Sequence, residues 1–198
     1  MTDAPLRVGR VMRSSTGEFT IGTRLLQADV PRFGVFVKAP SPDGCEVIGL
    51  IYDVLVEDDP FVRQMIGADV KEEYVRDHRE NRQVPATVSV LVIGHSRDGR
   101  VYPYLPPQPP AALDTLVTCT DDEVIDFTED FTYFRTVLNA VNARPDELLA
   151  ASLRHAAEAR AGGGREFLIR AGRELARLLA FDAVRLEGLL RRIRPYRE

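Results

Sequence analysis

The period of the apolar pattern changes once along this chain, and that change limits the possible folds more than any other feature. In Glu18–Leu25, Phe19, Ile21, Thr23 and Leu25 alternate with Thr20, Gly22 and Arg24. This is the period of two of a half-buried strand. Runs rich in β-formers begin at Leu6 (LRVGRVMR), Phe33 (FGVFVKA), Glu46 (EVIGLIYDVLVE) and Thr87 (TVSVLVI). Turn residues separate them at 14–17, 39–44 and 97–100. Gly49, inside the run from Glu46, predicts a bulge or bend. Five or six strands in roughly 100 residues predict a small closed barrel or sandwich.

Two segments interrupt the strands. Asp69–Asn81 is nearly all polar, with Glu72/Arg76 and Arg76/Glu80 four residues apart. It predicts a surface helix over 69–82. Tyr102–Pro110 (YPYLPPQPP) predicts an extended strut, a rigid spacer between barrel and helices. A short strand over 113–118 then returns to the barrel. Beyond it the period becomes 3.6. Thr120-Asp-Asp-Glu123 is a capping box, Pro145-Asp146-Glu147 opens a second helix, Gly162–Gly164 breaks the chain, and Asp182 caps a last helix. The expected fold is α+β: a closed antiparallel barrel over 1–118, then an α-helical bundle or hairpin over 119–198.

Composition excludes several classes. Hydrophobic residues make up 44% and charged residues 28%, as in globular domains generally. No apolar run approaches the ~20 residues of a membrane span. The first residues lack a basic segment followed by an apolar one, so no signal peptide, no membrane partner and a cytoplasmic location are expected. Cys45 and Cys119 are too few for a disulfide framework. The net charge of −4 argues against a whole-surface nucleic-acid binder. That sum hides a polarity: residues 1–143 hold 14 basic and 22 acidic residues (net −8), and residues 144–198 hold 12 and 8 (net +4).

Chemical motifs are sparse. There is no P-loop and no G-x-S-x-G elbow, and His78, His95 and His155 lack metal-ligand spacing. The expectation is a non-enzyme without cofactor or metal. Ser14-Ser15-Thr16 reads as a turn whose hydroxyls bond their own backbone. Asp122, Asp126, Glu129 and Asp130 are spaced to share one helix face. They suit a docking surface for a basic partner, a Mg²⁺ or Ca²⁺ site, or simply an acidic turn matched to the helix dipole. Arg170, Arg173 and Arg177 form a stripe, and Arg191, Arg192, Arg194 and Arg197 crowd the terminus. They suit phosphate binding, or a solvated face with Glu166–Arg170, Arg170–Glu174 and Glu187–Arg191 pairs. Phe19, Phe33, Phe36 and Tyr52 are either core residues or base-stacking platforms.

The order of motifs in residues 6–118 resembles a HAS barrel, the β-barrel shared by HerA-type translocases and ATP synthase catalytic-ring subunits. The resemblance runs through Val8-Gly9-Arg10-Val11, Ser14-Ser15-Thr16, Glu18-Phe19, Phe33-Gly34-Val35-Phe36-Val37 and Val47-Ile48-Gly49-Leu50-Ile51-Tyr52-Asp53. It continues in 81–85 and 105–110. In that family the barrel crowns an ATPase ring, helps subunits associate and docks partners such as a nuclease. Here about 80 helical residues stand where the ATPase domain is expected. The resemblance therefore implies an accessory role: a non-catalytic assembly or adaptor module that associates with itself or with a DNA-processing ATPase or nuclease. Its interface candidates are Gly9, Arg10, Ser14, Ser15, Thr16, Phe19, Phe33, Gly34, Gly49 and Asp53. The alternative is a nucleic-acid-binding protein that uses the arginines of the C-terminal helices.

Overall fold

The computed structural model describes residues 4–25, 31–56, 60–68, 71–81 and 83–194. Seven strands run β1 (Arg7–Ser14), β2 (Glu18–Leu25), β3 (Phe36–Pro40), β4 (Glu46–Val56), β5 (Val84–Arg97), β6 (Arg100–Tyr102) and β7 (Thr115–Thr118). The sheet order is β2-β1-β7-β3-β4-β5-β6, and a further β2–β5 pairing closes six strands into an antiparallel barrel. The closing ladder spans all of β2, from Glu18↔Leu91 to Leu25↔Val84. The interior is filled by inward-facing residues, including Val8, Val11, Phe19, Ile21, Val47, Val88, Val90 and Leu116. Closure removes free strand edges from the ring and leaves a packed core rather than a lumen.

The structure redraws several sequence boundaries. β5 begins three residues before the run from Thr87, passes through Pro85 and is 14 residues long. Asp98-Gly99, both at positive φ, turn β5 tightly into β6, as this dipeptide favours. The register shift at Ile48/Gly49 is the expected bulge. The polar helix is α2 (Glu72–Asn81); Asp69, Val70 and Arg82 lie outside the described residues. An additional helix, α1 (Pro60–Gly67), precedes it, and proline at its first position was the available signal.

The proline-dense segment is not a spacer between barrel and helices. It joins β6 to β7, both part of the sheet, and straps one end of the barrel. Ser14 Oγ donates to Pro110 O (2.7 Å), and Ser41 Oγ donates to Gln108 O (3.0 Å). His95 stacks on Tyr102 with ring centroids 5.1 Å apart. Prolines leave their neighbours' carbonyls without local donors, so barrel hydroxyls satisfy them.

Five helices follow: α3 (Asp121–Phe127), α4 (Tyr133–Leu138), α5 (Pro145–Glu158), α6 (Gly164–Leu178) and α7 (Ala183–Arg192), with a 3-10 turn at Val141–Ala143. The capping box is complete: Glu123 N donates to Thr120 Oγ1, and Thr120 N to Glu123 Oε2. Pro145 opens α5, and Asp182 accepts from Arg185 N at the start of α7. Among the described residues no helix is long and apolar enough to cross a membrane.

Helices and barrel share a second core. Phe36, Ile48, Leu50 and Ile93 on the barrel's outer wall pack against Val124, Phe127, Tyr133, Phe134 and the buried face of α5. Phe36 lies edge-on to Phe127 and Tyr133 and stacks on His155 at 5.9 Å. Gly34, at φ 83°, lies against α5; a Cβ there would come within 2.4 Å of Ala151 Cβ. Val35 and Phe36 can therefore approach the helix closely. Phe33 is exposed in the preceding turn rather than paired in β3.

Burial holds the His155 imidazole below its ordinary pKa, Arg32 reinforces this, and Glu158 and Asp121 only partly oppose it. The folded state therefore prefers neutral His155. Its stabilising contribution is complete above the unfolded value near 6.5 and is lost as pH falls toward the depressed folded value. Urea denaturation between pH 7.5 and 5 is expected to show stability declining with pH, with the decline smaller in His155→Phe.

Candidate functional site

The acidic quartet does not form one helical face. α3 ends at Phe127 and Thr128 is its C-cap, so Glu129 and Asp130 lie beyond the helix. Thr128 Oγ1 turns back to Val124 O (2.6 Å), which uses the hydroxyl to close the last turn. Asp130 caps the next turn by accepting from Thr132 N. Asp122 is exposed, and Asp126 lines a separate pocket with Lys38. Among the described residues no group of three or more His, Cys, Asp or Glu converges to hold a metal ion.

Glu129 instead anchors two arginines. Arg170 reaches it at 3.2 Å and Arg160 at 3.4 Å. The Arg170 bonds hold the Glu129 carboxyl below its ordinary pKa despite some desolvation. Arg160 also donates to Ala156 O, Ile125 O and Thr128 Oγ1, and its guanidinium lies 4.0 Å from the Phe167 ring centre. One side chain thus ties together the end of α3, the end of α5 and the start of α6. A planar five-donor group can do this and an ammonium cannot.

The rest of the C-terminal stripe is largely neutralised. Arg177 pairs with Glu174, Arg191 with Glu187, and Arg192 with Glu147. Of the three pairs expected from spacing, Glu187–Arg191 forms. Arg170 goes to Glu129 rather than Glu166 or Glu174, because the α3–α4 connection brings that carboxylate alongside α6. Arg173 and Arg194 remain exposed, and Arg197 lies outside the described residues.

A polar pocket of about 190 Å³ opens between the barrel and α3. Lys38 lines it, 2.5 Å from Glu123 and 2.9 Å from Glu46. Burial pulls the Lys38 pKa down, but the two carboxylates outweigh it and hold the ammonium above its ordinary value. Burial pushes Glu123 up, yet Lys38 and the Thr120 amide keep it below the usual range. Both partners are thereby fixed in their charged forms, poor material for proton transfer near neutrality. Cys119 lines the same pocket, and burial raises its thiol far above the ordinary value. A thiol so placed is not a nucleophile.

The interface candidates from the barrel motifs divide by role. Phe19 is buried inside the barrel, and Gly49 marks the bulge. Ser15 Oγ both donates to Glu18 O and accepts from Glu18 N, closing the β1–β2 turn beside exposed Thr16. Asp53 is exposed opposite Ser89. Gly9 and Arg10 line an open groove of about 560 Å³ with Arg7, Gly22 and Arg24. Phe36 is buried, and Tyr52 is half-buried against the shared core with its hydroxyl donating to Glu18 (3.2 Å).

The sequence reading missed an apolar surface on the last two helices. Leu168, Ile169, Leu190 and Ile193 line a groove of about 280 Å³ together with Arg165 and Arg194. On the α6–α7 connection Phe181 is fully exposed, and Val184 is 85% exposed. The available signal was Phe181 itself, an aromatic just before the Asp182 cap. No protein-family model and no curated protein matches the chain.

Arg160→Met is expected to lower stability by about 2–3 kcal/mol, since it strands buried acceptors, with little rescue in Arg160→Lys. Thermal and urea unfolding check this. Lys38→Met is expected to cost about 1 kcal/mol at pH 7, after discounting for solvent screening. Because Glu123 is depressed in the folded state, that difference should shrink as pH falls below about 4.3, measured by denaturation at pH 7 and pH 3.5.

Proposed function

We propose that this protein is a non-catalytic assembly module that docks a protein partner through the surface of α6 and α7. One observation carries the reading: Phe181 lies fully in solvent, with Val184 beside it in sequence on α7. Aromatic side chains left uncovered on otherwise polar helices are typical anchors of interfaces, where a few desolvated groups supply most of the binding energy. The groove between the start of α6 and the end of α7 offers a second anchor site, with arginines in its lining to orient an acidic partner. The HAS-barrel resemblance supplies the class of partner, an ATPase or nuclease of DNA processing, and self-association is the competing arrangement.

The charged clusters support this reading over a catalytic one. Lys38, Glu46 and Glu123 neutralise one another, and Arg160, Arg170 and Glu129 brace helices. The pairing of Arg170, Arg177, Arg191 and Arg192 also weakens the case for a phosphate-binding stripe on the C-terminal helices.

Native isolation from the source cells, followed by reconstitution from purified components, tests the proposal. The wild type is expected to form a defined complex. Phe181→Asp and Ile169→Asp should each weaken it at least about tenfold, equivalent to about 1.4 kcal/mol, with unchanged circular dichroism and melting. A wild-type monomer without partner at physiological concentration, or a complex indifferent to both substitutions, would overturn it.

A further inference from the structure

β1 departs from simple alternation in a way that gathers positive charge. Its burial pattern is exposed Arg7, buried Val8 and Gly9, exposed Arg10, buried Val11, then exposed Met12 and Arg13. A regular strand exposing Arg7 and Arg13 would turn Arg10 inward, because side chains alternate with a period of two. Two register shifts prevent this: one between Arg7 and Gly9 against β7, the other between Val11 and Arg13 against β2. Each inserts one residue and resets the phase, so all three arginines face outward. Gly9 makes the first shift possible, since a Cβ there would lie 2.6 Å from both Gly22 O and Ile21 Cγ2.

The neighbouring strand extends the strip. Arg10 lies opposite Gly22, so Arg24, two residues further along β2, stands near the Arg7 end. The two bulges absorb two of the six residues between Arg7 and Arg13, so the partner strands advance four residues over that stretch, about 13 Å along the wall. Opposite these arginines stand Thr20 and Gly22 on β2, and Thr115 and Val117 on β7, with no carboxylate. Among the described residues none of the four arginines forms an ion pair. Arg10 is oriented by donating to Leu113 O at 2.8 Å. This differs from the C-terminal helices, where most arginines have acidic partners. It also stands out within residues 1–143, which carry a net −8.

We infer that this strip binds the phosphate backbone of single-stranded nucleic acid, independently of base sequence. Three guanidiniums along the open groove (Arg7, Arg10 and Arg24) and a fourth, Arg13, further along β1 match successive phosphates of an extended chain, whereas a compact anion is held by donors that converge on one point. No aromatic ring lines the groove, so bases are not stacked there and affinity comes from phosphate contacts. The inference is independent of the α6–α7 docking surface, which lies on other elements.

Fluorescence anisotropy of the full chain with an oligo(dT) of about 20 nucleotides tests it. Binding is expected at about 50 mM salt, with a log–log salt slope near −3 from four contacts. Arg7→Gln/Arg13→Gln/Arg24→Gln, which keeps the Arg10 bond to Leu113, should weaken binding at least tenfold and bring the slope to about −1. Its melting temperature should be unchanged. Arg177→Gln/Arg191→Gln should leave binding as it was. The inference is overturned by no binding at low salt, or by equal binding of wild type and the barrel variant. It is also overturned if tripolyphosphate or a poly-glutamate peptide of similar length binds as tightly as the oligonucleotide.

Discussion

Closing a six-stranded barrel leaves every strand with two faces to satisfy, and the rest of the molecule is arranged around that requirement. The inward face is filled by the barrel's own Val, Ile, Phe and Leu side chains. The outward face must meet either water or another layer. Around Phe36, Ile48, Leu50 and Ile93 it meets α3, α4 and α5, and the aromatic contacts of Phe36 with Phe127, Tyr133 and His155 hold that junction. Around Arg7, Arg10, Arg13 and Arg24 it meets solvent. The two sectors are chemically opposite because only one is covered.

Covering the apolar sector brings distant charges together. The α3–α4 connection delivers Glu129 to Arg160 and Arg170, and α3 delivers Glu123 to Lys38. These partners are 31, 41 and 85 residues apart in sequence. Their pKa shifts follow from pairing against desolvation: each carboxylate is held low and Lys38 is held high. Such networks specify how helices sit on the barrel more than they add net stability, since desolvation offsets much of the attraction.

Much of the secondary structure was legible because it rests on local chemistry. The period-two run of β2, the Asp98-Gly99 turn, the capping box at Thr120, Pro145 and Asp182 all act within a few residues. The errors came where tertiary context overrode local signals. β5 begins three residues before the run from Thr87 and passes through Pro85. The proline-dense segment straps the barrel, since hydroxyls of Ser14 and Ser41 accommodate its carbonyls. The acidic quartet was placed on one helix because spacing alone cannot show that Thr128 ends α3 before Glu129. Arg170 had two acidic neighbours at helical spacing and chose neither.

By itself the sequence determined that this chain is α+β, with a strand-rich first part and a helical last part, and that the net negative charge of residues 1–143 precedes the net positive charge of residues 144–198. Those properties depend on composition and periodicity, which no packing arrangement alters. Only the tertiary structure decided which charges are cancelled and which are left. It neutralised most of the C-terminal arginines that looked free and left the β1 arginines uncovered through two bulges no periodic pattern reveals. The physical reason is that electrostatic interaction depends on distance and dielectric surroundings. Both are set by which surfaces the barrel and helices bury against each other.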